Sequence, residues 1–159
     1  MASSLFPPTL ARYLGPASVD PPALYLPVSA IRITMGFPSP AEDFQDDELD
    51  LNRVLIRNPP ATYMYKAEGE SMLHAGICDG DILIVDRSVA PLDGDIVIAT
   101  WEGNQPTCKV LKIEADHVEL HSRNPYVPAI VLPPGTEVEV FAVVSVARQV
   151  TRGHSRRGR

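Results

Sequence analysis

From Ala61 onward, apolar and polar residues alternate in short runs, the period-2 pattern of half-buried strands. The pattern predicts strands over Thr62–Ala67, Asp81–Asp86, Asp95–Trp101, Thr107–Ile113, His117–His121, Ala129–Leu132 and Glu137–Val146. Turn sequences separate them, among them Asp79-Gly80, Asp93-Gly94, Asn124-Pro125 and Pro133-Pro134-Gly135, where Asp, Asn, Gly and Pro supply the required backbone conformations. Seven short strands in about 85 residues predict a mostly-β, barrel-like sheet assembly. The stretches Cys78-Asp79-Gly80-Asp81 and Leu92-Asp93-Gly94-Asp95, each followed by an apolar run, form a near-repeat. Two copies do not make a solenoid, so they read as two similar junctions from turn to strand.

Upstream, Leu51, Val54 and Leu55 fall at helical spacing. They follow an acidic stretch, Ala41 to Asp50, in which six of ten residues are Asp or Glu. That stretch reads as a solvated turn supplying a helix N-cap, and the helix ends before Pro59-Pro60. The first forty residues have no sustained period. They hold eight of the chain's 16 prolines, which hinder helix and central strand alike. The expected organisation is therefore an extended arm over 1–40, a β-rich domain over 41–147 with one or two short helices, and a basic, disordered tail over 148–159.

Charge and composition narrow the function. The 159 residues carry a net charge of −6, without the basic footprint of a nucleic-acid reader. No apolar run reaches the roughly 18 residues of a membrane helix. The opening Met1-to-Pro16 stretch lacks the basic and apolar regions of a secretory signal. Cys78 and Cys108 are accordingly expected as free thiols in a reducing cytoplasm.

Few residues offer chemistry. His117 and His121 lie four apart on a strand-like run with no third ligand nearby, and His74 and His154 have no evident partner. The Asp79/Asp81 and Asp93/Asp95 pairs flank glycine in turns without continuing into a calcium loop. No metal or cofactor site is expected. Ser71, in Gly69-Glu70-Ser71-Met72, sits where a strand gives way to a helical turn. It can be a simple cap, or a nucleophile whose turn aims backbone N–H groups at an oxyanion. A serine needs a base, and a desolvated lysine can serve. Alternation over Thr107–Ile113 puts Lys109 on a face with Thr107, Leu111 and Ile113, and Lys112 on the other with Cys108 and Val110. The sorting favours Lys109 as the buried one.

Taken in order, these residues resemble a known family. Gly69-Glu70-Ser71-Met72, the run from Gly76 to Asp86, Gly94 to Ile98, and Thr107-Cys108-Lys109 resemble the Ser-Lys self-cleaving peptidase domain of LexA and UmuD. Gly36 to Asp43 (GFPSPAED) and Asp50 to Ile56 (DLNRVLI) narrow the likeness to UmuD-like proteins. It covers roughly Ile33 to Val146. The resemblance implies a β-rich peptidase domain of the β-clip kind, with an arm that can lie across the site. Ser71 is then the nucleophile and Lys109 the general base, Gly69 and Met72 support the oxyanion turn, and the scissile bond is Met35-Gly36. It further implies a homodimer in the bacterial cytoplasm, stimulation by the RecA–single-stranded DNA filament in the SOS response, and a shortened product that joins a UmuC-like subunit in an error-prone translesion polymerase. No sequence-specific DNA contact and no membrane are implied.

One position departs from the pattern. The family carries a small residue, Ala or Cys, before the scissile glycine, and here it is Met35. Met35 therefore keeps open a second reading, a non-cleaving dimeric module that regulates a polymerase or a RecA filament with its arm attached.

Overall fold

The computed structural model describes residues 10–23, 25–27 and 48–150. Met35, Gly36 and most of the acidic stretch lie outside the described residues. The strands run as β1 (Leu10–Pro16), β2 (Tyr25–Pro27), β3 (Glu48–Asp50), β4 (Thr62–Glu68), β5 (Ile82–Asp86), β6 (Ile96–Trp101), β7 (Thr107–Ile113), β8 (Val118–His121), β9 (Ile130–Val131) and β10 (Val138–Ala147), with one helix, α1 (Leu51–Leu55). All seven strands expected after Ala61 are present within one or two residues of their predicted bounds. The helix is also where the spacing put it. Asp50 caps α1 through a hydrogen bond from the Asn52 N–H at 3.0 Å.

Eight strands form one antiparallel sheet in the order β1-β4-β5-β10-β6-β7-β8-β9, and β2 pairs with β3 separately. Leu10 of β1 also pairs with Thr107 of β7. Six strands therefore make a near-closed ring, from which β8 and β9 continue. Closure of this kind removes the exposed edges that sheets otherwise present.

β1 comes from the segment read as an extended arm, and it is a strand of the main sheet. Its first six residues fall in the proline-free window from Thr9 to Gly15, so a missing N–H occurs only at its last residue, Pro16. A bulge between Tyr13 and Gly15 bends its end. Gly15 has a φ of 138° there, a conformation glycine accepts readily.

Alternation sorts the sheet's faces into two apolar clusters. Tyr65 and Ala67 of β4, Leu83 and Val85 of β5, Ile98 of β6 and Cys108 and Val110 of β7 join Ala11, Met72 and Ile77 in one. Val97, Ala99 and Leu111 face the other way, with Leu120 and Leu132, in a second. β6 and β7 are thus apolar on both faces, which is how buried strands read.

The near-repeat is a duplicated structural device. In each copy the second Asp accepts the N–H of the residue three before it: Asp81 from Cys78 and Asp95 from Leu92, both at 2.8 Å. The glycine N–H donates to the neighbouring strand, Gly80 to Ala67 O at 2.7 Å and Gly94 to Leu111 O at 2.8 Å. The first Asp then accepts an N–H two residues further along that strand, Asp79 from Gly69 at 2.8 Å and Asp93 from Ile113 at 2.6 Å. All four carboxylates accept a backbone N–H in this way, and Asp81 and Asp93 also pair with Arg148 and Lys112.

Candidate active site

The first of these turns pins the end of β4, from which the loop carrying Ser71 leaves. Gly69 has a φ of 104°, which lets the chain leave the strand sharply. Met72 anchors the loop from inside, its side chain fully buried in the first cluster. Its carbonyl accepts the N–H groups of Ala75 at 3.0 Å and Ile77 at 3.2 Å.

From the other side, the loop after β8 clasps the same turn. The Arg123 N–H donates to Ser71 O and the His74 N–H to Arg123 O, both at 2.8 Å. Asn124 Nδ2 donates to Glu70 O at 3.0 Å, while its Oδ1 accepts the Tyr126 N–H at 3.1 Å. The residue just before the nucleophile candidate is thereby held by a side chain itself fixed at both ends. Sequence spacing offered no sign of this clasp, which joins residues 54 apart.

Lys109 is delivered by β7, in register opposite Val97 of β6. Its ammonium nitrogen lies 2.8 Å from Ser71 Oγ and 3.2 Å from the Cys108 carbonyl oxygen, to which it donates. Ser71 and Lys109 both have 0% solvent exposure. Burial in a setting this apolar disfavours the charged form, and the lysine pKa falls from 10.5 to about 8. The same desolvation raises the Cys108 thiol to about 12, leaving it a protonated wall residue. Lys112, on the opposite face, is nearly half exposed and pairs with Asp93 at 3.5 Å and Glu114 at 3.6 Å. Alternation had separated these two lysines in the same sense.

Two buried hydroxyls near the dyad, Thr107 Oγ1 and Ser122 Oγ, have no hydrogen-bond partner among the described residues. Thr107 lies two residues before Lys109 on the same strand face, and Ser122 immediately precedes the clasp. His117 and His121 share Glu119, at 3.0 Å and 2.6 Å, and His117 is held above its ordinary pKa by Asp116 and then by Glu119. The linking carboxylate was the feature missed in the sequence. Among the described residues no group of His, Cys, Asp and Glu is arranged to hold a metal ion. Nor is any described helix long and apolar enough to cross a membrane.

The arrangement provides a hydroxyl, a partly neutral amine in contact with it, and a rigid turn between them. That combination can carry out nucleophilic attack on a carbonyl. Comparison with known proteins points the same way. The family model described as Peptidase S24-like matches residues 27–145. Protein SamA of Salmonella typhimurium is 39% identical over 126 residues, covering 79% of this chain and 86% of SamA. Protein MucA of Escherichia coli is 35% identical over 120 residues, 76% of this chain and 82% of MucA. A LexA repressor from Stenotrophomonas maltophilia is 39% identical over 127 residues, 79% of this chain but 58% of the repressor.

Proposed function

Because the chain belongs to the S24-like peptidase family, a family of serine peptidases with LexA- and UmuD-type self-cleavage, we propose that it cuts its own Met35-Gly36 bond using Ser71 and Lys109. The observation that carries this reading is the 2.8 Å contact between Lys109 Nζ and Ser71 Oγ at a fully buried position. Neutral Lys109 takes the Ser71 proton as Oγ attacks the Met35 carbonyl carbon, and returns it to the Gly36 nitrogen as the C–N bond breaks. Water, deprotonated by Lys109, then hydrolyses the Met35 ester and regenerates Ser71. The Ser71 N–H is the oxyanion donor in this scheme, with Gly69 and Met72 supporting the turn that aims it. The products are a 35-residue fragment and a 124-residue body, which together make up the 159 residues.

The biological setting follows the UmuD-like relatives. The body, as a homodimer, would serve a UmuC-like polymerase subunit after cleavage stimulated by a RecA–single-stranded DNA filament. A filament can act by favouring the conformer in which the scissile bond is docked on a desolvated lysine. Met35, bulkier than the Ala or Cys usual before the scissile glycine, supports slow cleavage. The alternative is a dimeric regulator that keeps its arm.

One experiment separates these readings: intact mass after incubation at alkaline pH, and separately with an activated filament. Cleavage at Met35-Gly36 in wild type but not in Ser71→Ala is the expected result. Wild type left uncut under both conditions overturns the peptidase reading and leaves the regulator.

A further inference from the structure

If the chain is cut at Met35-Gly36, the fragment removed contains β1, and the sheet loses a strand. This consequence rests on the self-cleavage reading, but its structural basis is independent of it. β1 pairs with β4 from Leu10 opposite Glu68 to Pro16 opposite Tyr63. Among the described strands it alone bridges β4 and β7, through the Leu10–Thr107 pairing and the Ala11 N–H donated to Pro106 O at 2.8 Å. Without β1, the outer edge of β4 presents a row of unpaired backbone groups.

The grip of β1 is weak for a strand that closes a ring. Ala11 is its one buried side chain, while Tyr13 and Leu14 are about half exposed. Arg12 meets Glu68 at 3.4 Å, an exposed pair, which contributes little. Tyr13 leans on Tyr65 and Tyr63, with ring centroids 5.4 Å and 6.2 Å away. Backbone pairing and the covalent tether therefore do most of the holding. Cutting the tether removes the high effective concentration that keeps the strand in place.

We propose that β1 is a removable cover, and that the β4 edge from Thr62 to Glu68 is a docking site for an extended segment of a partner protein. The occupant adds as a strand, and β1 defines what it must carry. A small residue belongs over Tyr65 and Ala67, where Ala11 enters the first apolar cluster. A cation follows it beside Glu68, and an aromatic ring packs next against Tyr63 and Tyr65. Cleavage thus switches an internal contact into an intermolecular one, with the same backbone groups serving both.

The test uses full-length Ser71→Ala, Cys78→Ser protein with a recognition sequence for a specific protease inserted between Met35 and Gly36, so that cutting does not depend on the chain's own chemistry. The probe is a fluorescent peptide of residues 8–18. After cutting, the fragment should separate on gel filtration while circular dichroism shows the body still folded. The peptide should then bind the cut protein and not the uncut one. A peptide carrying Ala11→Glu should bind about tenfold more weakly or worse, because its carboxylate is forced into an apolar cluster. Cys108, which shares that cluster, should react with a maleimide about tenfold faster after cutting and be protected again by the peptide. Uncut Ala11→Glu protein, its cover strand loosened, should also gain peptide binding. A fragment that stays bound, a body that unfolds on losing it, an edge filled by the β1 of a second copy, or an absence of peptide binding would each overturn the proposal. Whether the wild-type chain cuts itself is read separately by mass, so the two readings fail independently.

Discussion

A lysine with a pKa of about 8 makes self-cleavage a titration. With that value, the neutral fraction is about 9% at pH 7 and about 91% at pH 9. An unperturbed lysine at 10.5 would be about 0.03% neutral at pH 7, so burial raises the supply of base about 300-fold. The cleavage rate of the wild-type chain, followed by intact mass from pH 6 to 10.5, should rise about tenfold between pH 7 and 9 and level off above. The same shift acts on stability. Below pH 8 the lysine is charged in both folded and unfolded chains, and the fold bears the full cost of burying the charge. Between 8 and 10.5 the unfolded chain binds more protons than the folded one, so stability rises with pH. The difference is on the order of 3 kcal/mol. In urea titrations Lys109→Met should therefore exceed wild type by most at neutral pH, with the gap closing toward pH 10.5. A cleavage midpoint at or above pH 10, or a gap independent of pH, would refute the claim that burial tunes this base.

Three further outcomes follow from particular contacts. Met35→Ala should cut faster than wild type under identical alkaline conditions, measured as the half-time for loss of full-length mass; an unchanged or slower rate would show that the side chain before the scissile glycine is not limiting. Arg148 donates to the buried Asp81 carboxylate at 2.6 Å through Nε and reaches Gly76 O with Nη2, and its hydrogen bond holds Asp81 below the usual carboxylate pKa. Arg148→Ala should lower stability in urea unfolding, because it leaves the buried Asp81 carboxylate without its cation. Because the Asp81 pKa is depressed, that difference should be present at neutral pH and fade as pH falls below 4, whereas a constant difference would assign the loss to packing. Asn124→Ala should slow cleavage several-fold while leaving its pH midpoint unchanged, since it loosens the Glu70 carbonyl without touching Lys109. A wild-type rate in that variant would remove the clasp from the list of positioning groups.

Much of this was legible from one dimension because the relevant patterns are local. Period-2 alternation marks β4 through β10, Asp50 stands where a cap should, and the inward Lys109 and outward Lys112, three strand positions apart, can be told apart by counting. What resisted reading depends on distant partners. β1 carries only one buried side chain, so its strand identity lies in the backbone of β4, about fifty residues away. Asn124 looks like an ordinary turn residue until the Glu70 carbonyl is set beside it. Glu119 is one more charged residue until the strand pleat places it between His117 and His121. Arg148, assigned to a basic tail, is instead committed to Asp81, because the end of β10 runs beside the first Asp-Gly turn.

The duplicated turn explains how Ser71 and Lys109 meet across 38 residues. One copy fixes the end of β4 at Ala67 and Gly69, and the nucleophile candidate follows two residues later. The other fixes the end of β7 at Leu111 and Ile113, and the base candidate lies two residues before Leu111. Each strand is thus pinned within a few residues of its reactive side chain by the same two contacts, and the second Asp braces each turn from within. Short lever arms of this kind limit how far backbone motion can displace either group, which is what a 2.8 Å contact between a hydroxyl and an amine requires. β1, held by one buried side chain and an exposed ion pair, is the more loosely anchored part, so regulation can act there while Ser71 and Lys109 stay in contact.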